Sequence, residues 1–256
     1  MVLTGRLALD RLDDDVFVNR EPTDEHHVFG GLVVAHALGA ATATVDGRLP
    51  CSLHASFVVA GRGAQPIRYE VERTRDGGSF STRRVVARQD HGVVLALTAD
   101  FHTDEEGVEY ETPAADVPGP DGQPPSRYDS PMFEARDVAP TGEPPHVRAA
   151  WFRAREPLGE DPLVHLQALT MLTDLGATRA AREPHAHLSD DARRLSVSLD
   201  HAVWFHRPAR LDDWVRSEIA PVSTGRGRGL ALGTVRDQAG TLLATFAQEV
   251  LLRERR

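Results

Sequence analysis

Apolar positions along the chain follow two rhythms, and each rhythm occurs twice. Residues 30–45, GGLVVAHALGAATATV, and 161–181, DPLVHLQALTMLTDLGATRAA, carry the dense apolar spacing of helices. Segments with period-two alternation follow each of them. After the first come CSLHASFVVA (51–60), IRYEVERTRD (67–76), SFSTRRVVARQ (79–89) and VVLALTADFH (93–102). After the second come RLSVSLDHAVWFH (194–206), DWVRSEIAPVS (213–223), RGRGLALGTVRD (226–237) and TLLATFAQEVLLR (241–253). The turns RDGG (75–78), QDHG (89–92) and DQAG (237–240) supply hairpin chemistry between them. The second helix has matching ends: Asp161 suits the N-cap, Pro162 the first helical position, and Glu183-Pro184 stops it.

Residues 113–145 are rich in Pro, Gly and Asp and read as an irregular crossover. They divide the chain into 1–112 and 146–256, and the two parts share a faint repeat. RQDHGVVLALTADF (88–101) lies against RDQAGTLLATFAQE (236–249), with Arg88, Gly92, Ala96 and Ala99 on Arg236, Gly240, Ala244 and Ala247. SLHASF (52–57) lies against SLDHAVWF (198–205), with His54 on His201. One helix followed by antiparallel strands buries its faces only if the sheet wraps it. The second helix fits that, because Leu163, Val164, Leu166, Leu169, Met171, Leu172 and Leu175 cover nearly its whole circumference. The expected class is α+β, two repeats of a long helix wrapped by an antiparallel sheet. Edge strands need partners, so the halves are expected to pair with each other, with room for further homo-oligomerisation.

Three polar residues interrupt apolar surfaces. At about 100° per residue, Asp174 falls about 20° from Leu163, beside Gln167 and Thr170. An acid there is costly unless it is paired or does chemistry. Gln248 breaks the row Leu242, Ala244, Phe246, Val250, Leu252. In the opening strand of the second half, alternation places Val197, Leu199, Val203 and Phe205 on one face and Ser198, Asp200, Trp204 and His206 on the other. His201 and His206 then point to opposite faces and bind no common metal, and their expected role is structural. Asp200 and His206 are too far apart for a dyad, and Ser198 has no neighbouring His for nucleophilic catalysis. A helix carboxylate, a strand hydroxyl and a strand amide remain. Together they can hold and activate a water, with the carboxylate as general base.

Composition narrows the classes further. All 29 basic residues are Arg, which excludes a Schiff-base lysine, and the net charge of −9 argues against nucleic acid. The one cysteine, Cys51, is expected in the core and forms no cysteine metal cluster. No run approaches the length of a membrane span and no signal peptide is evident, so a soluble cytoplasmic protein is expected. Neither a metal nor a cofactor is called for.

The chain resembles the type II acyl-CoA thioesterases, which carry two fused hot-dog folds. FGGLVVAHAL (29–38), DGGSFSTRRVVARQ (76–89), LTDLG (172–176), LDHAVWFHRP (199–208) and ATFAQEVLLR (244–253) match that family's motifs in order. The resemblance implies hydrolysis of an acyl-CoA by an activated water, with the catalytic roles on Asp174, Ser198 and Gln248. It departs at Leu32 and His36, where the family often has Gln, and at Ala60-Gly61, where it often has Pro-Gly. Those departures bear on substrate choice; His36 is a candidate pocket residue, with a partly buried structural histidine as the competing reading. Gly30 and Gly31 are candidates for oxyanion contact through backbone N–H groups. Arg226 and Arg228, or Arg83 and Arg84, are candidates for the CoA phosphates, and an apolar tunnel would take the acyl chain. Asp100 stands where the second half has Gln248, so the first half holds no complete second site. The competing readings are a non-catalytic acyl-CoA binding or sensor protein, and a hot-dog enoyl-CoA hydratase. Acyl type, and CoA against a carrier-protein thioester, stay open.

Overall fold

The structure is a computed structural model and describes residues 2–20, 26–140, 147–185 and 194–254. The first half runs α1 (Leu3–Leu7), β1 (Leu9–Asp13), β2 (Val16–Asn19), α2 (Gly30–Thr42), β3 (Leu49–Phe57), β4 (Arg68–Asp76), β5 (Phe80–Gln89) and β6 (Gly92–His102). Then follow β7 (Phe133–Val138), β8 (Arg148–Ala154), α3 (Pro162–Thr173), α4 (Ala177–Arg182), β9 (Arg194–Ser198), β10 (Asp200–Phe205), β11 (Val215–Gly225), β12 (Arg228–Asp237) and β13 (Leu242–Glu254).

The described strands form one antiparallel sheet in the order β1-β2-β4-β5-β6-β3-β10-β13-β12-β11-β8-β7, with β9 also on β13. The seam is β3 against β10, from Ser52↔Trp204 to Ser56↔Asp200. On either side of it the strands run outward in the same pattern: the last strand of a half lies next to the seam strand, and the outermost pair comes from the segment preceding the helix. Period-two alternation predicts the four inner strands of each half. The outer pairs were not expected. β1 and β2 are short and β1 is mostly exposed, while β7 falls inside the stretch read as an irregular crossover.

The helices lie on the inner face. Every residue of α2 from Gly31 to Ala41 is buried. α3 packs on it antiparallel, with Gly31 against Met171 at one end and Gln167 Nε2 donating to Ala35 O further along. Contact this close requires glycine, because a Cβ on Gly31 would stand 2.7 Å from Met171 O.

The helix expected over 161–181 is two helices. Asp161 caps α3 by accepting from Leu163 N, and Pro162 opens it, as the sequence predicts. α3 then stops at Thr173 with Asp174 as its C-cap, and Gly176 takes φ 93° before α4 begins. Glycine adopts that left-handed conformation without a Cβ clash, which ends the first helix and redirects the chain. Asp174 therefore sits at a helix terminus and not on a continuous apolar face.

Candidate active site

The C-terminus of α3 meets the N-terminus of α2, and the Asp174 carboxylate lies between them. Asp174 is 8% exposed. Its Oδ2 is 3.0 Å from where a Cβ on Gly30 would stand, and Gly31 N–H donates to the carboxylate. Burial pushes the carboxyl up to about 6, and hydrogen bonds from Gln248, Gly31 and Ser198 hold it from rising further. Its place at the C-terminal end of α3 also disfavours the charge. A carboxylate tuned to about 6 is mostly ionised at neutral pH yet is a far better base than an exposed aspartate.

Ser198 reaches this carboxylate through an irregularity between β9 and β10. On β10 the pairing sets Ala202 against Ala247, while on β9 it sets Ser198 against Val250, a slip of one residue centred on Leu199. Such a bulge reverses the faces of the residues on its two sides. Strict alternation places Ser198 with Asp200, Trp204 and His206, away from Val203. In the structure Asp200 and Trp204 are exposed and His201 and Val203 are buried, while on the other side of the bulge Val197 turns outward and Ser198 inward. Ser198 Oγ lies 3.4 Å from Asp174 Oδ1. Asp200 has a structural task here, since its Oδ1 accepts from Glu249 N at 2.7 Å, a backbone donor that the bulge frees.

Gln248 stands on the inner face of β13 among Phe246 and Val250, as its row of apolar neighbours predicts, and is 1% exposed. Its Nε2 donates to Ser198 Oγ at 2.5 Å. The three inward polar residues thus form one linked group at the helix junction.

The other expected site residues lie elsewhere or are engaged. His36 is a correction: it is buried, its Nε2 is 2.6 Å from Arg6 O and its Nδ1 3.1 Å from Tyr69 Oη, so it fastens α2 to α1 and β4. Burial pushes it down to about 4, which keeps it neutral. Arg83 is a second correction. It is 1% exposed and donates to Thr44, Arg75 O, Thr82 O and Asp76, binding the β4–β5 hairpin to the end of α2. Arg84 is exposed beside Glu72. Arg226 is exposed in the β11–β12 turn, and Arg228 pairs with Glu249 at 3.0 Å. Gly31 is spent on Asp174, which leaves Gly30 as the oxyanion candidate. Asp100 accepts from Thr82 on the outer side of β6, whose buried positions are Ala99 and Phe101, so it is not the counterpart of Gln248. His201 lies inside, 2.9 Å from Thr173 Oγ1 and next to Gln248; the structural role expected for it gave no hint of this position. Beyond Asp174, Leu175 and Gly176 form one wall of a cavity of about 220 Å³ with Tyr128, Phe152 and Ile219.

Comparison with known proteins decides the family. Residues 19–102 match the family model of the acyl-CoA thioesterase N-terminal domain, and residues 105–252 that of the C-terminal domain. The chain belongs to the acyl-CoA thioesterase family. As a member it is a thioester hydrolase. It is 30% identical to acyl-CoA thioesterase 2 of Haemophilus influenzae, over 96% of this chain and 95% of that protein. The crystal structure of an acyl-CoA thioesterase II from Mycobacterium marinum superposes with a TM-score of 0.88 at 33% identity, covering 98% of this chain and 97% of that one. A hot-dog protein from Alicyclobacillus acidocaldarius superposes with a TM-score of 0.79 at 22% identity, covering 99% and 98% of the two chains, and places the thioesterase in the hot-dog fold. The described residues contain no helix long and apolar enough to cross a membrane.

Proposed function

We propose that the protein hydrolyses acyl-CoA thioesters with a water activated by Asp174 and oriented by Ser198 and Gln248. The observation that carries this reading is the buried carboxylate of Asp174, raised to about 6 and joined to a hydroxyl and an amide. The water gives a proton to Asp174 as its oxygen attacks the thioester carbonyl. The developing oxyanion takes a hydrogen bond from Gly30 N–H at the start of α2, where the helix terminus favours negative charge. Collapse breaks the C–S bond. CoA departs as a thiolate, which needs little help from an acid, and the proton on Asp174 passes to the thiolate or to solvent.

The rest of the chain supports the same reading. The cavity lined by Leu175 and Gly176, the two residues after Asp174, joins apolar side chains such as Phe152 and Ile219 to Arg127, Arg148 and Arg179, which suits a ligand with an apolar and an anionic part. We read the chain as two fused hot-dog repeats, 1–112 and 146–256 joined by 113–145, with the catalytic group assembled on the second and completed by the α2 terminus of the first. The matching strand order on both sides of the β3–β10 seam supports that division. Relatives named for acyl-CoA thioesters support the substrate class.

The test is release of free thiol from a panel of acyl-CoAs with short, long, branched and aromatic acyl groups. Multiple turnovers on part of the panel are expected. Tight binding without thiol release on every substrate would overturn hydrolysis in favour of a binding protein.

A further inference from the structure

The side-chain oxygen of Gln248 is buried with no hydrogen-bond partner among the described residues, although its Nε2 serves Ser198. Nδ1 of His201 is in the same state. The strand register brings the two residues together. Val203 pairs with Phe246 and Ala202 with Ala247, so the next step along β10 and β13 sets His201 opposite Gln248. Opposed residues of an antiparallel pair hold their Cβ atoms about 5 Å apart on one face of the sheet. Both residues are 1% exposed. The other imidazole nitrogen, Nε2, is held 2.9 Å from Thr173 Oγ1, on the residue preceding the base.

We propose that His201 is a positioning residue of this site: as the neutral Nδ1–H tautomer it donates to Gln248 Oε1 and fixes the amide so that Nε2–H faces Ser198. The proposal rests on the reading that Asp174, Ser198 and Gln248 hold the attacking water. The chain of donors then runs in one direction. Thr173 donates to His201 Nε2, His201 Nδ1 to Gln248 Oε1, Gln248 Nε2 to Ser198 Oγ, and Ser198 to Asp174. The Thr173 hydroxyl has two acceptors in reach, Thr170 O at 2.8 Å and His201, and in this arrangement its single proton goes to His201.

The opposite tautomer breaks the chain. With the proton on Nε2, Nδ1 is a bare lone pair and Gln248 must turn its NH₂ toward it. Ser198 then faces Gln248 Oε1, gives it its only proton, and leaves Asp174 without that donor. Burial pushes the His201 imidazole down to about 4, so the ring works as a neutral group.

The test combines substitution with spectroscopy. His201→Phe keeps the ring and removes both nitrogens; kcat is expected to fall about 10–100-fold with KM within about twofold, since misplacement of a catalytic partner costs on that order. His201→Asn places an amide N–H near the position of Nδ1 and is expected to recover most of that loss. In a Gln248→Ala background, His201→Phe should add no further loss, because the two act in series. Unchanged kcat in His201→Phe, or losses that multiply independently, would overturn the proposal. If His201→Phe does not fold, nitrogen NMR of histidine-labelled wild type decides: an Nδ1–H signal for the buried ring is expected, and Nε2–H overturns the assignment. Asp174→Asn in the same assay separates the two levels. Its collapse beside an unaffected His201→Phe removes the His201 role alone, and its survival removes the underlying reading.

Discussion

Gly31 donates its backbone N–H to the carboxylate of Asp174, and this bond ties the start of α2 to the end of α3. Two opposed helix ends meet there, one rich in donors and one rich in acceptors. If α2 were shifted away, the carboxylate would keep only its donors from β9 and β13, Ser198 and Gln248. Gly31→Ala tests the contact, because its Cβ would stand 2.7 Å from Met171 O and 2.9 Å from Asp174 Cβ. Overpacking against backbone should cost about 1–3 kcal/mol of stability, and kcat should fall as the base moves. Thermal melts and steady-state kinetics check both, and an unchanged kcat would mean that the carboxylate needs no support from α2.

The rate should carry the titration of Asp174. A general base must be ionised, so kcat/KM should fall with a slope of one as pH drops below about 6 and level off above it. An acidic limb near 4, the range of an exposed aspartate, would show that the rate-controlling carboxylate is not a buried one.

The same burial predicts a stability cost. The folded carboxyl titrates at about 6 against 3.8 for its ordinary value, so the folded protein binds the proton more tightly than the unfolded chain does. Stability tied to this group is whole below pH 3.8 and is lost as pH rises through about 6. Asp174→Asn removes that loss and should raise stability at pH 7 by about 1–3 kcal/mol while lowering activity. Denaturant titrations of both forms at pH 4 and pH 7 check this: the gap between them should open only at the higher pH.

Asp200 should matter to activity although it is exposed. Its carboxylate closes the bulge at Leu199 by accepting from Glu249 N, and the bulge is what turns Ser198 toward Asp174. Asp200→Ala should cost about 1 kcal/mol of stability and lower kcat, while Asp200→Asn, which keeps an acceptor, should cost less. Equal kinetics for wild type and Asp200→Ala would detach the bulge from catalysis.

The sequence is informative where a local pattern carries the signal. Period-two alternation identifies β3–β6 and β10–β13, and the Asp161-Pro162 pair marks the start of α3. The row of apolar residues around Gln248 turns it inward without reference to its partners. Ser198 is different. Its direction depends on a one-residue slip against β13, and alternation along its own strand gives the opposite face. Gly176 was present as a signal for the end of α3, but ATRAA after it keeps helical character and conceals the break. His36 and Arg83 look like site residues by type and are structural because of long-range partners, Tyr69, Arg6 O and Thr44, that no local spacing encodes. His201 was missed for the same reason: its neighbours Thr173 and Gln248 come from a helix and a strand remote in sequence.

In the proposed mechanism Asp174 activates the water that cleaves the thioester. The most direct measurement is thiol release from the best acyl-CoA substrate by wild type and by Asp174→Asn at pH 7.5, with substrate binding measured on both. Loss of the general base should lower kcat by about 10²–10⁴ while the variant still folds and binds substrate. A variant that turns over within about tenfold of wild type would contradict the account and leave another group, or none, as the base.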